Sequence, residues 1–212
     1  MKLLLSLITS FVFIFPGGQN LNKELETLNL SSQNYILYSV DSETVIANKN
    51  ESKHLAAASI NKVLTTLAAL ELLEDKNLDE RITISQSVLN TVDIEASVAG
   101  FRAGQTVTLR DILYGIILPS GADATAIMSE YLTGSITGLV DEMNKLAQKI
   151  GMIDTRIMNT SGLDDPNQHT TLIDLLKLIL YALENEDFKE IYGTEKYRTN
   201  ADGLEFENQI LA

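Results

Sequence analysis

Apolar positions along this chain alternate between two kinds of pattern, and each predicts a different element. Tyr35 to Val40 and Thr44 to Ala47 are short runs rich in aromatic and β-branched residues. The polar turn Asp41-Ser42-Glu43 lies between them, which predicts two strands joined as a hairpin. From about Ser59 to Leu73 the spacing becomes helical, with Ile60, Val63, Leu64, Leu67, Ala68 and Leu72 recurring on one face. Leu109 to Leu118 repeats that pattern until Pro119 interrupts it, because the residue before a proline avoids the helical region. Further helices are predicted from near Asp123 to Leu132 and from Ile136 to Ile150, the latter with Gly151 as its C-terminal cap. Thr171-Leu-Ile-Asp174 reads as a capping box opening a helix to about Leu183. Asn159 to Asn167 is turn-rich and reads as a loop, and from Thr194 onward the chain reads as loop and strand. The sum is a mixed α/β fold. Two strands alone rarely make a stable sheet, so more strands, or another cover for the hairpin edge, are expected.

Composition narrows the function classes more than the fold. The 212 residues carry 16 Lys plus Arg against 29 Asp plus Glu, a net charge of −13. A chain this acidic repels phosphate backbones, so no nucleic-acid partner is expected, and the charge itself reads as solubility. There is no cysteine, hence no disulfide and no thiolate metal site. The N-terminus is more specific. Met1-Lys2 precedes an apolar run from Leu3 to Phe15, broken by Pro16-Gly17-Gly18. That order reads as a secretory signal over residues 1–18, and the run is shorter than the ~20 residues a spanning helix needs. A polar segment, residues 19–33, follows, and residues 34–212 form the domain. Export to the cell envelope is expected, with membrane attachment if the signal is not cleaved.

The candidate chemistry begins with an anomaly in Ala58-Ser-Ile-Asn-Lys62. A serine opening a helix usually has Glu or Gln three residues later, and here the companion is Lys62. A cation in the first turn faces the positive end of the helix dipole, at a cost of roughly 0.3–1 kcal/mol. Residues three apart share a helix face, so the Lys62 amine can reach the Ser59 hydroxyl. A serine becomes a nucleophile only when a base takes its proton. Lysine serves only when neutral, and from a free pKa of ~10.4 that costs roughly 4.6 kcal/mol at pH 7. Burial and nearby positive potential lower a lysine pKa, so the position that is poor for a cap is useful for a base. Alone, a serine and a lysine at this spacing also fit an ordinary cap beside an exposed lysine.

Sixty-one residues after Ser59 stands Ser120, within Leu118-Pro-Ser-Gly-Ala-Asp-Ala124. The two stretches resemble the first and second motifs of the serine D-alanyl-D-alanine carboxypeptidases, penicillin-binding proteins that share a fold with class A β-lactamases. Gly100 to Gly115, Met143 to Met152 and Ser161 to Asn167 with Thr171 and Asp174 are similar to the family's intervening segments, so the resemblance spans about Asn34 to Tyr197. It implies a β-lactamase/transpeptidase-like fold, a helical cluster packed on an antiparallel sheet. It implies Ser59 as the nucleophile toward the terminal D-Ala-D-Ala of a peptidoglycan stem peptide and Lys62 as its base. Ser120 would be the proton relay, and Gly121 and the position of Ala122 would lie against substrate. β-Lactam antibiotics would acylate Ser59. No cofactor or metal is implied.

Two departures qualify the resemblance. Ala122 stands where the family has asparagine, and losing that amide's hydrogen bond to a charged group is worth roughly 1.5–3 kcal/mol. No Lys-Thr-Gly occurs in the sequence. In the family that third motif lies on a strand just beyond a segment like Phe206 to Leu211, so the expectation is of a chain truncated before it, without the C-terminal strands. Two other functions compete. A β-lactamase would need a loop glutamate to activate water, and Thr160 to Asn167 offers only aspartates. A non-catalytic envelope protein that binds peptidoglycan peptides fits Ala122. His54 and His169, 115 positions apart, are read as solvated or locally bonded, not as a triad base. Glu184 to Asp187 reads as a solvated acidic cluster at a helix end. The Asn-x-Ser triplets at Asn29, Asn50 and Asn159 are read as chance, since the family is bacterial.

Overall fold

The structure, a computed structural model, describes residues 30–74, 76–200 and 203–209. The apolar run Leu3 to Phe15 lies outside them. The chain divides after Glu51 into two units. In the first, Tyr35–Ser39 (β1) and Thr44–Lys49 (β2) pair antiparallel from Tyr35↔Lys49 to Ser39↔Thr44, with a bulge between Leu37 and Tyr38. The hairpin read from the sequence is therefore present.

The second unit begins at Ser52 and is built around one helix. A 3-10 turn, Ala58–Ile60, leads into α1, Asn61–Leu72. Every residue from Asn61 to Leu70 is buried, so α1 has no polar face. A helix enclosed on all sides belongs to the middle of a core. The two ends of its apolar stripe lie outside that enclosure: Ile60 is 47% exposed and Leu72 is 40% exposed.

The surrounding helices are α2 (Gln86–Leu89), α3 (Leu109–Ile117), α4 (Ala122–Thr133), α5 (Ile136–Lys149), α6 (Leu172–Ala182) and α7 (Glu186–Gly193). Two short antiparallel pairs accompany them, β3 (Arg81–Thr83) with β4 (Thr106–Thr108) and β5 (Lys196–Arg198) with β6 (Glu205–Glu207). The long helices fall where the apolar spacing put them. Leu109, Ile112, Leu113 and Ile116 of α3 are fully buried, each such side chain adding roughly 1.5–3 kcal/mol of hydrophobic stabilisation.

Capping differs from expectation in two places. Thr171 does accept from the Asp174 N–H, but the Asp174 carboxylate turns away to the Asp154 N–H, the Thr155 hydroxyl and Lys177. The reciprocal box is instead at Thr108 and Asp111, opening α3. The second oxygen of Asp111 accepts from the Tyr197 hydroxyl at 2.8 Å, and the Tyr114 and Tyr197 rings stack at 3.7 Å, fixing the β5–β6 hairpin on α3. The acidic cluster at Glu184 to Asp187 also reads differently. Asn185 caps α7, and Glu186 and Asp187 are its first turn, where carboxylates suit the positive end of the dipole.

Candidate active site

Ser59 does not itself open α1: it is the middle residue of the 3-10 turn that precedes it, and the helix starts at Asn61 with Ile60 at its N-cap position. Ala58, just before it, sits in the left-handed region at φ 46°. An alanine held there is strained by about 1–3 kcal/mol and persists only where its surroundings dictate it. The turn leaves Ser59 exposed and Lys62, one turn on, buried at 4% exposure. The two line one cleft of about 450 Å³ together with Ser97, Ser161, Gly162 and the carboxylates of Asp93, Glu95 and Asp164.

Three consecutive carbonyls hold the first motif to the loop that follows α5. Asn61 Nδ2 donates to the Asn159 carbonyl at 2.7 Å, Thr65 Oγ1 to the Thr160 carbonyl at 2.9 Å, and Lys62 Nζ to the Ser161 carbonyl at 2.5 Å. Gly162 completes the seam. Its φ is +85°, and a Cβ there would lie 2.0 Å from the Ala58 carbonyl oxygen, so only glycine fits. Asn159 uses its amide inside this loop, accepting from the Gly162 N–H and donating to the Leu163 carbonyl. In the sequence this loop is a string of turn residues. Its role as a comb against α1 has no local signature.

Electrostatics ease deprotonation of Lys62. Burial lowers the Lys62 pKa to about 8, against an opposing pull from the Asp123 charge. From about 8, deprotonation at pH 7 costs on the order of 1–2 kcal/mol, compared with roughly 5 for a free lysine.

The second motif lies alongside. Ser120 is left-handed at φ 58°, and its Oγ is buried without a hydrogen-bond partner. Such an unpaired hydroxyl has a free donor and free lone pairs. Its carbonyl accepts from Ser97 Oγ at 3.0 Å, and Ser97 is one of the residues lining the Ser59 cleft. Gly121 donates its N–H to the Gly115 carbonyl, and an added Cβ would come within 2.8 Å of Ala99. Ala122 borders a second cavity of about 270 Å³, which shares Asp93, Ala96, Ser161, Leu163 and Asp164 with the cleft. The space beside Ala122 is therefore adjacent to the candidate nucleophile.

A family model described as D-alanyl-D-alanine carboxypeptidase, of the S11 peptidases, matches residues 21–211. The chain belongs to the D-alanyl-D-alanine carboxypeptidase family. It is 32% identical over 186 residues to D-alanyl-D-alanine carboxypeptidase DacF of Bacillus subtilis, covering 85% of this chain and 46% of that one. Among solved structures it resembles penicillin binding protein 5 from Haemophilus influenzae, with a TM-score of 0.76, 25% identity, and coverage of 84% of this chain and 52% of the other. It also resembles the D-alanyl-D-alanine carboxypeptidase from Mycobacterium tuberculosis, with a TM-score of 0.74, 26% identity, and coverage of 84% and 66%. The mixed α/β, transpeptidase-like fold expected from the sequence is the fold of these structures. The chain spans about half the length of the curated relatives it matches.

Within this carboxypeptidase-family chain the two histidines take no part in the cleft. The backbone pair Leu55↔Thr170 brings His54 and His169 together, and their rings stack at 4.3 Å. Residues 115 apart in sequence are thus neighbours, which no local pattern announced. Among the described residues no group of three or more His, Cys, Asp or Glu is placed to hold a metal ion. No helix among them is long and apolar enough to cross a membrane.

Proposed function

We propose that this chain carries the acylation half of a serine-type D-Ala-D-Ala carboxypeptidase site, with Ser59 as nucleophile, Lys62 as base and Ser120 as proton relay. The observation that carries the reading is an exposed serine and a buried lysine, its pKa lowered to about 8, lining one cleft in a member of this family. The neutral Lys62 amine takes the Ser59 hydroxyl proton as Oγ attacks the carbonyl carbon of the penultimate D-alanine. The C–N bond then breaks, and the departing D-alanine amine receives a proton passed from Lys62 through Ser120 Oγ. Water attacks the ester, releases the shortened stem peptide and returns the proton to Ser59. A β-lactam opens on the same oxygen and keeps its leaving group tethered, so it stays bound. The Ser59 N–H, beside the attacked carbonyl, is suited to stabilise its oxyanion.

The stem peptide lies outside the cytoplasm, which agrees with residues 1–18 acting as a secretory signal and with a working place at the outer face of the cytoplasmic membrane or in the periplasm. An uncleaved signal would hold the protein to that membrane. Ala122 favours slower turnover than an asparagine at this position would give, by about ten- to a hundredfold.

The test is release of free D-alanine from a synthetic peptide ending in D-Ala-D-Ala. The expected result is stoichiometric D-alanine from the parent protein and none from Ser59→Ala. Peptide binding without D-alanine release by the parent would instead support the non-catalytic envelope protein. Rapid, repeated opening of a penicillin would support a β-lactamase.

A further inference from the structure

Asp123 lies in the first turn of α4, three residues after Ser120, and is 3% exposed. Its carboxylate bonds both the start of its own helix and a neighbouring segment. Oδ1 accepts from the Ala99 N–H at 2.7 Å and from the Ala124 N–H at 2.9 Å. Oδ2 accepts from the Gly100 N–H at 2.9 Å and the Phe101 N–H at 3.1 Å. The segment answers in kind. The Ala122 N–H donates to the Ser97 carbonyl at 2.8 Å, and Ser97 Oγ donates to the Ser120 carbonyl at 3.0 Å. Two stretches, Ser97 to Phe101 and Ser120 to Asp123, are therefore laced together by five hydrogen bonds, three of them to one carboxylate.

Both ends of this lacing reach the candidate site. Ser97 lines the cleft with Ser59 and Lys62. Ser120 is held left-handed with an unpaired hydroxyl, a conformation that needs its surroundings to enforce it. We propose that Asp123 is a positioning residue of the reaction, clamping the Ser97 to Phe101 segment onto the second motif so that Ser120 and the cleft wall keep their working geometry. The assignment rests on Ser59 and Lys62 being the reacting pair. The Asp123 charge also acts on Lys62, opposing the effect of burial. Asp93, Glu95 and Asp164 are the other charged groups lining the cleft with that amine, and a substitution at Asp123 leaves their charges unaltered.

The experiment compares the parent protein, Asp123→Asn and Asp123→Glu by three readouts. These are amide exchange at Ala99, Gly100 and Phe101, the titration midpoint of the Lys62 amine by NMR of 13C-labelled lysine, and the rate of labelling by a fluorescent penicillin against pH. Asp123→Asn replaces one accepting oxygen by an NH2 group and removes the charge. Exchange at the three amides is expected to quicken about ten- to a hundredfold, as loss of hydrogen bonds to a charged group implies. The Lys62 midpoint is expected to fall below its parent value near 8, and the plateau labelling rate to drop about tenfold or more. Asp123→Glu, which keeps the charge, is expected to restore the Lys62 midpoint without fully restoring the three amides. Asp111→Asn serves as the control, a buried capping carboxylate on α3 whose loss weakens the fold but leaves the Lys62 midpoint and the labelling rate per folded molecule unchanged. Parent-like exchange, midpoint and labelling in Asp123→Asn would overturn the proposal, as would equal effects from Asp111→Asn. Failure of the parent itself to label would count against Ser59 as nucleophile, and exchange and titration would still decide the role of Asp123.

Discussion

Lys62→Met is expected to abolish penicillin labelling of Ser59 while making the folded protein more stable at neutral pH. Loss of the base that activates a nucleophile costs on the order of 10⁴-fold or more in rate. The stability change has the opposite sign because Lys62 is buried with a pKa near 8, below its unfolded value of 10.5. A depressed lysine contributes favourably to folding above the unfolded pKa, and that contribution is lost as pH falls through the folded one. At pH 7 the lysine therefore burdens the fold by roughly 3 kcal/mol relative to a neutral side chain. Methionine removes the burden, less about 1–3 kcal/mol for leaving the Ser161 carbonyl without its donor. A small gain remains, seen as a melting temperature higher by about 2–4 °C at pH 7. The gap between variant and parent is expected to narrow as pH rises from 7 to 10. In the parent, the labelling rate is expected to climb with pH, reach half its plateau near pH 8 and level off about one unit above that. A Lys62→Met protein that labels at the parent rate, or a parent rate flat from pH 6 to 9, would show that the amine is not the base.

Gly162→Ala is the second large effect, and it acts through backbone alone. The added Cβ would lie 2.0 Å from the Ala58 carbonyl oxygen and 2.6 Å from its carbon, at a residue whose φ of +85° already disfavours a side chain. Neither neighbour is the end of a flexible chain, so the loop and the 3-10 turn must separate. That parts Asn61, Lys62 and Thr65 from the three carbonyls they hold and moves Ser59. A displacement of about 1 Å at a reacting group is enough for about a hundredfold loss of rate. The expected outcome is labelling slowed by about that factor or more with a lower melting temperature, checked by labelling kinetics and thermal unfolding. Labelling at the parent rate would mean that the seam between the loop and the turn does not position the serine.

What could be read beforehand was whatever repeats locally. The hairpin and helices α1 and α3 to α6 were visible because their apolar residues recur at a fixed period over about ten residues or more, or alternate about a turn. Strands β3 and β4, three residues each, and the one-turn α2 offer too few positions for any period, and their pairing is set by partners more than twenty residues away. Helix α7 was hidden because its acidic first turn looked like a solvated end. In the candidate site, Ser59 and Lys62 were legible through a misfit, a cation where a helix start calls for a carboxylate. Asp123 was not, because an aspartate in a first turn needs no further explanation until its oxygens are seen on Ala99, Gly100 and Phe101. Gly162 was legible only as a turn glycine, since its reason is an oxygen about a hundred residues away.

Peptide-mapped mass spectrometry after incubation with benzylpenicillin reaches the central assignment most directly. One equivalent of intact, ring-opened penicillin on the peptide containing Ser59, with fragmentation placing it on that hydroxyl, is the result expected. No adduct, or an adduct carried by Ser120, Ser161 or any other side chain, would contradict it.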